Sequence, residues 1–108
     1  MSLNIAETFA ALGDPTRLAI LERLAEGDAT VKELAAPFHV SLPAISRHLK
    51  VLERAGLITR GREAQSRPSR LRVEALEEAT SWLQTRQDLW EGRVDRLEQH
   101  LRTIQKGQ

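Results

Sequence analysis

Apolar positions recur along this chain first with helical period, then briefly with a strand-like one, then with a heptad period, and these changes divide it into elements. Leu3, Ile5, Phe9 and Leu12 return at helical spacing and stop at Gly13, which predicts a first short helix. Asp14 is placed to cap a second, with Pro15 at its first position, where a missing N–H costs nothing. Leu18, Leu21 and Leu24 form its buried stripe and Gly27 ends it. Thr30 and Glu33 have the spacing of a capping box, opening a very short helix through Val31, Leu34 and Ala35 that stops near Pro37. Ser41 caps the next helix, which accepts Pro43 in its first turn and runs to Ala55 before Gly56 terminates it. Two short helices joined by a tight turn over Phe38 to Val40 predict a helix-turn-helix, although the turn lacks the glycine often found there.

After Gly56, Leu57 to Arg62 and Arg70 to Val73 read as short strands around a polar turn centred on Gln65 and Ser66, with Pro68 confining its strand to an edge. From Glu74 the chain is helical again. Leu76, Thr80, Leu83, Gln87, Trp90, Val94, Leu97, Leu101 and Ile104 alternate spacings of four and three, a heptad register of about 30 residues and roughly 45 Å. A helix that long outreaches the globule a 108-residue chain can build and calls for a partner. The expected architecture is one mainly α domain over 1–108 with a small β-hairpin: a helix-turn-helix over 30–55, a wing over 57–73, and dimerisation helices over 1–12 and 74–105.

Charge changes this picture from a scaffold to a binding surface. Between Ser41 and Val73 eight Lys/Arg stand against Glu53 and Glu63, a net of +6, while the remainder carries eight against 13, or −5. The overall +1 hides a cationic third suited to a polyanion, and its helix-plus-hairpin form points to duplex DNA. At about 100° per residue, Ala44, Ile45, Leu49, Val51 and Leu52 fall on the core side of the fourth helix. Pro43, Ser46, Arg47, Lys50 and Arg54 fall on the other. That outward face is small near its start and cationic beyond it, the form needed to enter a major groove about 12 Å wide. Ser41 and the free N–H groups at the helix start are placed for a backbone phosphate. On the hairpin, Arg62, Arg67 and Arg70 are the candidates for the phosphate backbone or a narrow minor groove.

The runs ALGDPTRLAILERLAEG and VKELAAPFHVSLPAISRHLKVLERAGLITR closely resemble the ArsR/SmtB group of bacterial winged-helix repressors. The resemblance extends from Phe9 through the last helix. It implies a homodimer joined through the first and last helices, a palindromic operator, and an effector, often a metal ion, that releases the DNA. Carried onto this chain, it marks Ser41, Pro43, Ser46, Arg47, His48 and Lys50, with the wing arginines, as DNA-facing. The heptad positions Leu83, Trp90, Val94, Leu97 and Leu101 of the last helix, with Phe9 of the first, are the expected dimer interface. The chain departs from the best-known members in having no cysteine at all, and its last helix offers one histidine, His100, with Asp88, Asp95 and Glu98 nearby. One imidazole with scattered carboxylates does not make a transition-metal site. No metal or cofactor is expected, and any effector is of another, unknown kind.

The remaining candidates have plainer readings. His39 is a surface turn residue, His100 a solvated one, and His48, at the edge of the core-facing side, serves either packing or a phosphate. Trp82 and Trp90 with Leu89 widen the apolar stripe of the last helix and read as dimer core rather than a ligand pocket, with Thr80 and Gln87 as register-setting polar positions. No nucleophile sits with a plausible base, and no phosphate-cradling glycine loop or H-E-x-x-H pattern occurs, so an enzyme is not expected. The absence of cysteine, of a basic leader and of an apolar run near 20 residues leads to the expectation of a cytoplasmic protein with no membrane association. The competing reading is a winged-helix module for protein contacts alone, which would not need +6 across its helix and wing.

Overall fold

The computed structural model describes residues 4–61 and 67–107. Its order is α1 (Ile5–Leu12), α2 (Pro15–Leu24), α3 (Val31–Ala35), α4 (Leu42–Arg54), β1 (Ile58–Arg60), β2 (Ser69–Leu71) and α5 (Val73–Lys106). Leu3, Arg62, Gln65 and Ser66 lie outside the described residues.

Helix starts follow the local chemistry. The Asp14 carboxylate accepts from Arg17 N at 3.0 Å with Pro15 next to it; Thr30 and Glu33 close the reciprocal capping box; Ser41 Oγ accepts from Ala44 N at 3.2 Å. Asn4 caps α1 by accepting from the N–H groups of Ala6 and Glu7, a cap the hydrophobic pattern does not announce. At the far end of α4, Gly56 takes φ of 79°, a left-handed conformation that only glycine adopts without cost.

The core is a cluster of Ile20, Leu21, Leu24, Leu34, Ile45, Leu49, Leu52, Leu57 and Ile58, all buried, with Ala11, Ala29, Ala55 and Ala75 between them. Two positions expected inside are not. Leu18 is 44% exposed, because α2 turns Ile20 with Leu21 and Leu24 toward α4 and β2. Val51 is 41% exposed, because the core side of α4 is the narrower stripe Ile45, Leu49, Leu52.

The hairpin is shorter than its sequence suggested. β1 and β2 pair antiparallel in the register Ile58 with Leu71, Thr59 with Arg70 and Arg60 with Ser69, and Val73 opens α5 rather than closing a strand. A third extended segment is added by Ala29, whose N–H and C=O both bond Ser69, at 3.2 and 2.8 Å. At the open end Gly61 N donates to Pro68 O at 2.8 Å, and a Cβ on Gly61 would lie 2.9 Å from Pro68 Cδ, so the strands can close up there only with glycine.

The 34 residues of α5 extend about 51 Å at helical rise, and the molecule measures 75 × 32 × 21 Å. Only Ala75 and Ala79 in its first turns are buried. Leu83, Leu89, Trp90, Val94, Leu97, Leu101 and Ile104 are all exposed, Trp90 to 63%. Phe9 of α1 meets α5 within the chain, its ring edge-on to Trp82 at 5.5 Å, with the Arg86 guanidinium 4.3 Å from the Trp82 ring centre.

Candidate nucleic-acid interface

The helix-turn-helix consists of α3, a turn over Ala36 to Val40, and α4, held by the packing of Leu34 and Phe38 against Ile45 and Leu49 in the core. This packing leaves Ser41, Pro43, Arg47, Lys50 and Arg54 on the exposed side of α4, with Ser46 half-buried at its margin. Among the described residues Arg47, Lys50 and Arg54 have no ion pair and no side-chain hydrogen bond. Ser41 spends an acceptor lone pair on its own helix but keeps its O–H to donate. The N–H of Ala44 is taken by Ser41 Oγ and that of Ile45 by Ser41 O, and Pro43 has none, so an anion approaching the start of α4 meets the Ser41 hydroxyl and the Leu42 N–H, with Arg47 and Lys50 further along the same face.

His48 is turned the other way. Its Nδ1 stands 3.3 Å from Arg17 Nη1 and 3.9 Å from the Asp14 carboxylate, and the imidazole is largely covered. Its contact with Arg17 of α2, an element packed on α4, fits the packing role of the two expected for it. Hydrogen bonding to Arg17 N, with the positive charge of Arg17 beside it, holds the Asp14 carboxyl below its usual value of 3.8.

On the wing, Arg67 is exposed and its Nε donates to Gly61 O at 2.9 Å, its outer guanidinium nitrogens having no partner among the described residues. Arg70 is exposed too, but its fork is engaged: Nε lies 3.2 Å from both Asp28 oxygens and Nη2 3.0 Å from one, an ion pair that raises its pKa. Arg70 thus stitches the wing to the loop before α3 rather than reaching out unpaired. Arg62, the third expected wing contact, is outside the described residues.

Sequence reasoning missed two arginines near this surface. Arg60 and Arg72, with Arg67 and Glu53, line a cleft of about 470 Å³ between the end of α4 and the wing. Arg72 Nη1 donates to Gly56 O at 2.9 Å and so fixes the α4 terminus to the start of α5. Their excess of charge was visible in the sequence, but their convergence depends on the hairpin's register. Among the described residues no three His, Cys, Asp or Glu are grouped to hold a metal ion, and no helix is long and apolar enough to cross a membrane.

A two-helix reading unit flanked by an antiparallel wing defines a winged helix-turn-helix protein. Residues 14–60 match the family model described as bacterial regulatory protein, arsR family. The chain is 37% identical over 75 residues to the transcriptional repressor SdpR of Bacillus subtilis, covering 69% of this chain and 83% of that one. It spans less than half the length of two other curated relatives, the regulator Rv2034 and the repressor SmtB of Mycobacterium tuberculosis. Among solved structures, the ArsR family transcriptional regulator RHA00566 is 40% identical with a TM-score of 0.77, over 81% of this chain and 96% of the other. The homodimeric winged helix-turn-helix DNA-binding domain of Mb0332 from Mycobacterium bovis is 26% identical with a TM-score of 0.60, over 85% and 82%. The chain belongs to the arsR family of bacterial transcriptional regulators.

Proposed function

We propose that this chain is a sequence-specific DNA-binding repressor that works as a homodimer in the cytoplasm, with α4 in the major groove, the wing along the backbone and α5 as the dimer seam. The observation that carries this reading is the exposed, uncompensated cationic face of α4 beginning at a capped helix start. Arg47 and Lys50 are its base or phosphate contacts; Ser41, Pro43 and Ser46 let the helix approach; Arg54, Arg62 and Arg67 bind phosphate. The exposed heptad stripe of α5 supports the dimer, as does the homodimeric state of the Mycobacterium bovis domain. The missing cysteines favour an effector other than a thiolate-bound metal.

The test is binding to random-sequence duplex as salt is raised. Each neutralised phosphate contributes a slope of about −0.9 in log affinity against log salt, so several contacts give a steep fall. Salt-insensitive or absent binding would instead mark a winged helix used for protein contacts.

A further inference from the structure

Arg17 lies outside the DNA-facing surface yet bonds to the end of α1, to the cap of its own helix α2 and to α4. Its Nε donates to Ala11 O at 2.7 Å and its Nη2 to Ala10 O at 3.3 Å, occupying carbonyls at the end of α1. Its own N–H is held by the Asp14 cap, and its Nη1 points at His48 Nδ1. One side chain therefore ties α1, α2 and α4 together. A guanidinium can only donate, so the Arg17 contact requires His48 Nδ1 to be unprotonated. Protonation would set two positive groups 3.3 Å apart, offset by Asp14 at 3.9 Å. The other charges near this contact are Glu7 of α1 and Arg54 of α4, which share a cleft with Arg17, and Arg47, His48's neighbour on its own helix.

Resting on the reading of α4 as the recognition helix, we propose that Arg17 is a positioning residue for operator binding: it fixes the stance of α4 on α1 through His48, and protonating His48 releases it. A lysine cannot replace it, because one ammonium on a flexible stem does not span two carbonyls and an imidazole in a fixed plane. Acid then weakens specific binding through a side chain that touches no DNA.

The experiment combines two readouts on the full chain. The first is affinity for a duplex selected by the wild type and for random duplex, at pH 7.5 and 5.5, for wild type, Arg17→Lys and His48→Gln. The second is His48 titration in the protein alone, followed by NMR and assigned by its loss in His48→Gln. Arg17→Lys should lose about tenfold in specific affinity while keeping its random-duplex affinity and its fold by circular dichroism. Wild type should lose specific affinity at pH 5.5, and His48→Gln, whose amide oxygen still accepts, should not. Arg17→Met should move the His48 titration as the facing cation is removed. Wild-type specific affinity in Arg17→Lys, or an acid response that persists in His48→Gln, overturns the proposal. An unmoved His48 titration in Arg17→Met overturns it as well. If wild type binds no duplex at all, the DNA reading falls, and the positioning role for operator binding falls with it; a moved His48 titration would then leave only the Arg17–His48 contact standing.

Discussion

Single residues decide what α4 presents and what it hides. Arg47 is outward and has no ion pair among the described residues, so Arg47→Ala should relax base preference at one position in each half-site and cost about 1–3 kcal/mol of specific binding. Unchanged specificity in a binding-site selection would show that another side chain reads that base. Asp14 offers a check on stability. Its pKa is held down in the fold first by the Arg17 N–H and then by the Arg17 charge, so its stabilisation is present above the unfolded carboxyl value near 3.8. That stabilisation is lost as pH falls through the lower folded value. Asp14→Asn keeps a capping oxygen without the charge. Its melting temperature should therefore fall less than that of wild type between pH 5 and 2, and parallel curves would contradict the assignment. The caps at Asp14, Thr30 and Ser41 were legible in the sequence because each bonds a backbone N–H three positions on. The Arg17–His48 and Arg70–Asp28 contacts were not, since their partners lie 31 and 42 positions apart and meet only through tertiary packing.

Elements with an uninterrupted period were read with good boundaries, and short ones were not. α4 and α5 begin within a residue of their expected starts because caps and long periodicity agree. The strands are three residues each, too few for alternation to fix their ends, and Val73 went to the helix that follows. The Ala29 pairing had no periodic signal to announce it. Gly56 marks the sharpest junction between elements: with φ at 79°, Gly56→Ala should destabilise the fold by about 1 kcal/mol or more in chemical denaturation. An unchanged midpoint would mean the α4 terminus relaxes without strain. The apolar face of α5 was legible as a heptad, but its exposure in one chain is what makes it a surface in want of cover. Val94→Glu with Leu101→Glu should leave the α-helical signal intact and convert the protein to a monomer in sedimentation, with operator affinity lowered at least tenfold by loss of the second half-site. A dimer that survives both charges places the seam elsewhere.

Across the whole molecule, the charge halves seen in the sequence become two ends of a division of labour. The +6 third is α4 and the wing, and the acidic remainder is largely the scaffold of α1 and α5. A molecule 75 Å long with an exposed helical seam is suited to hold two reading heads at a fixed separation. If the two heads are related by a two-fold axis, their target repeats as its own inverse, with half-sites about 34–36 Å or a multiple apart along one face of the duplex. The most direct measurement is selection of duplexes from a random pool by the purified full chain, followed by sequencing. The account predicts enrichment of an inverted repeat with its half-site centres about 10 base pairs, or a whole number of turns, apart. Failure to enrich any sequence, or enrichment of one asymmetric half-site, would contradict it.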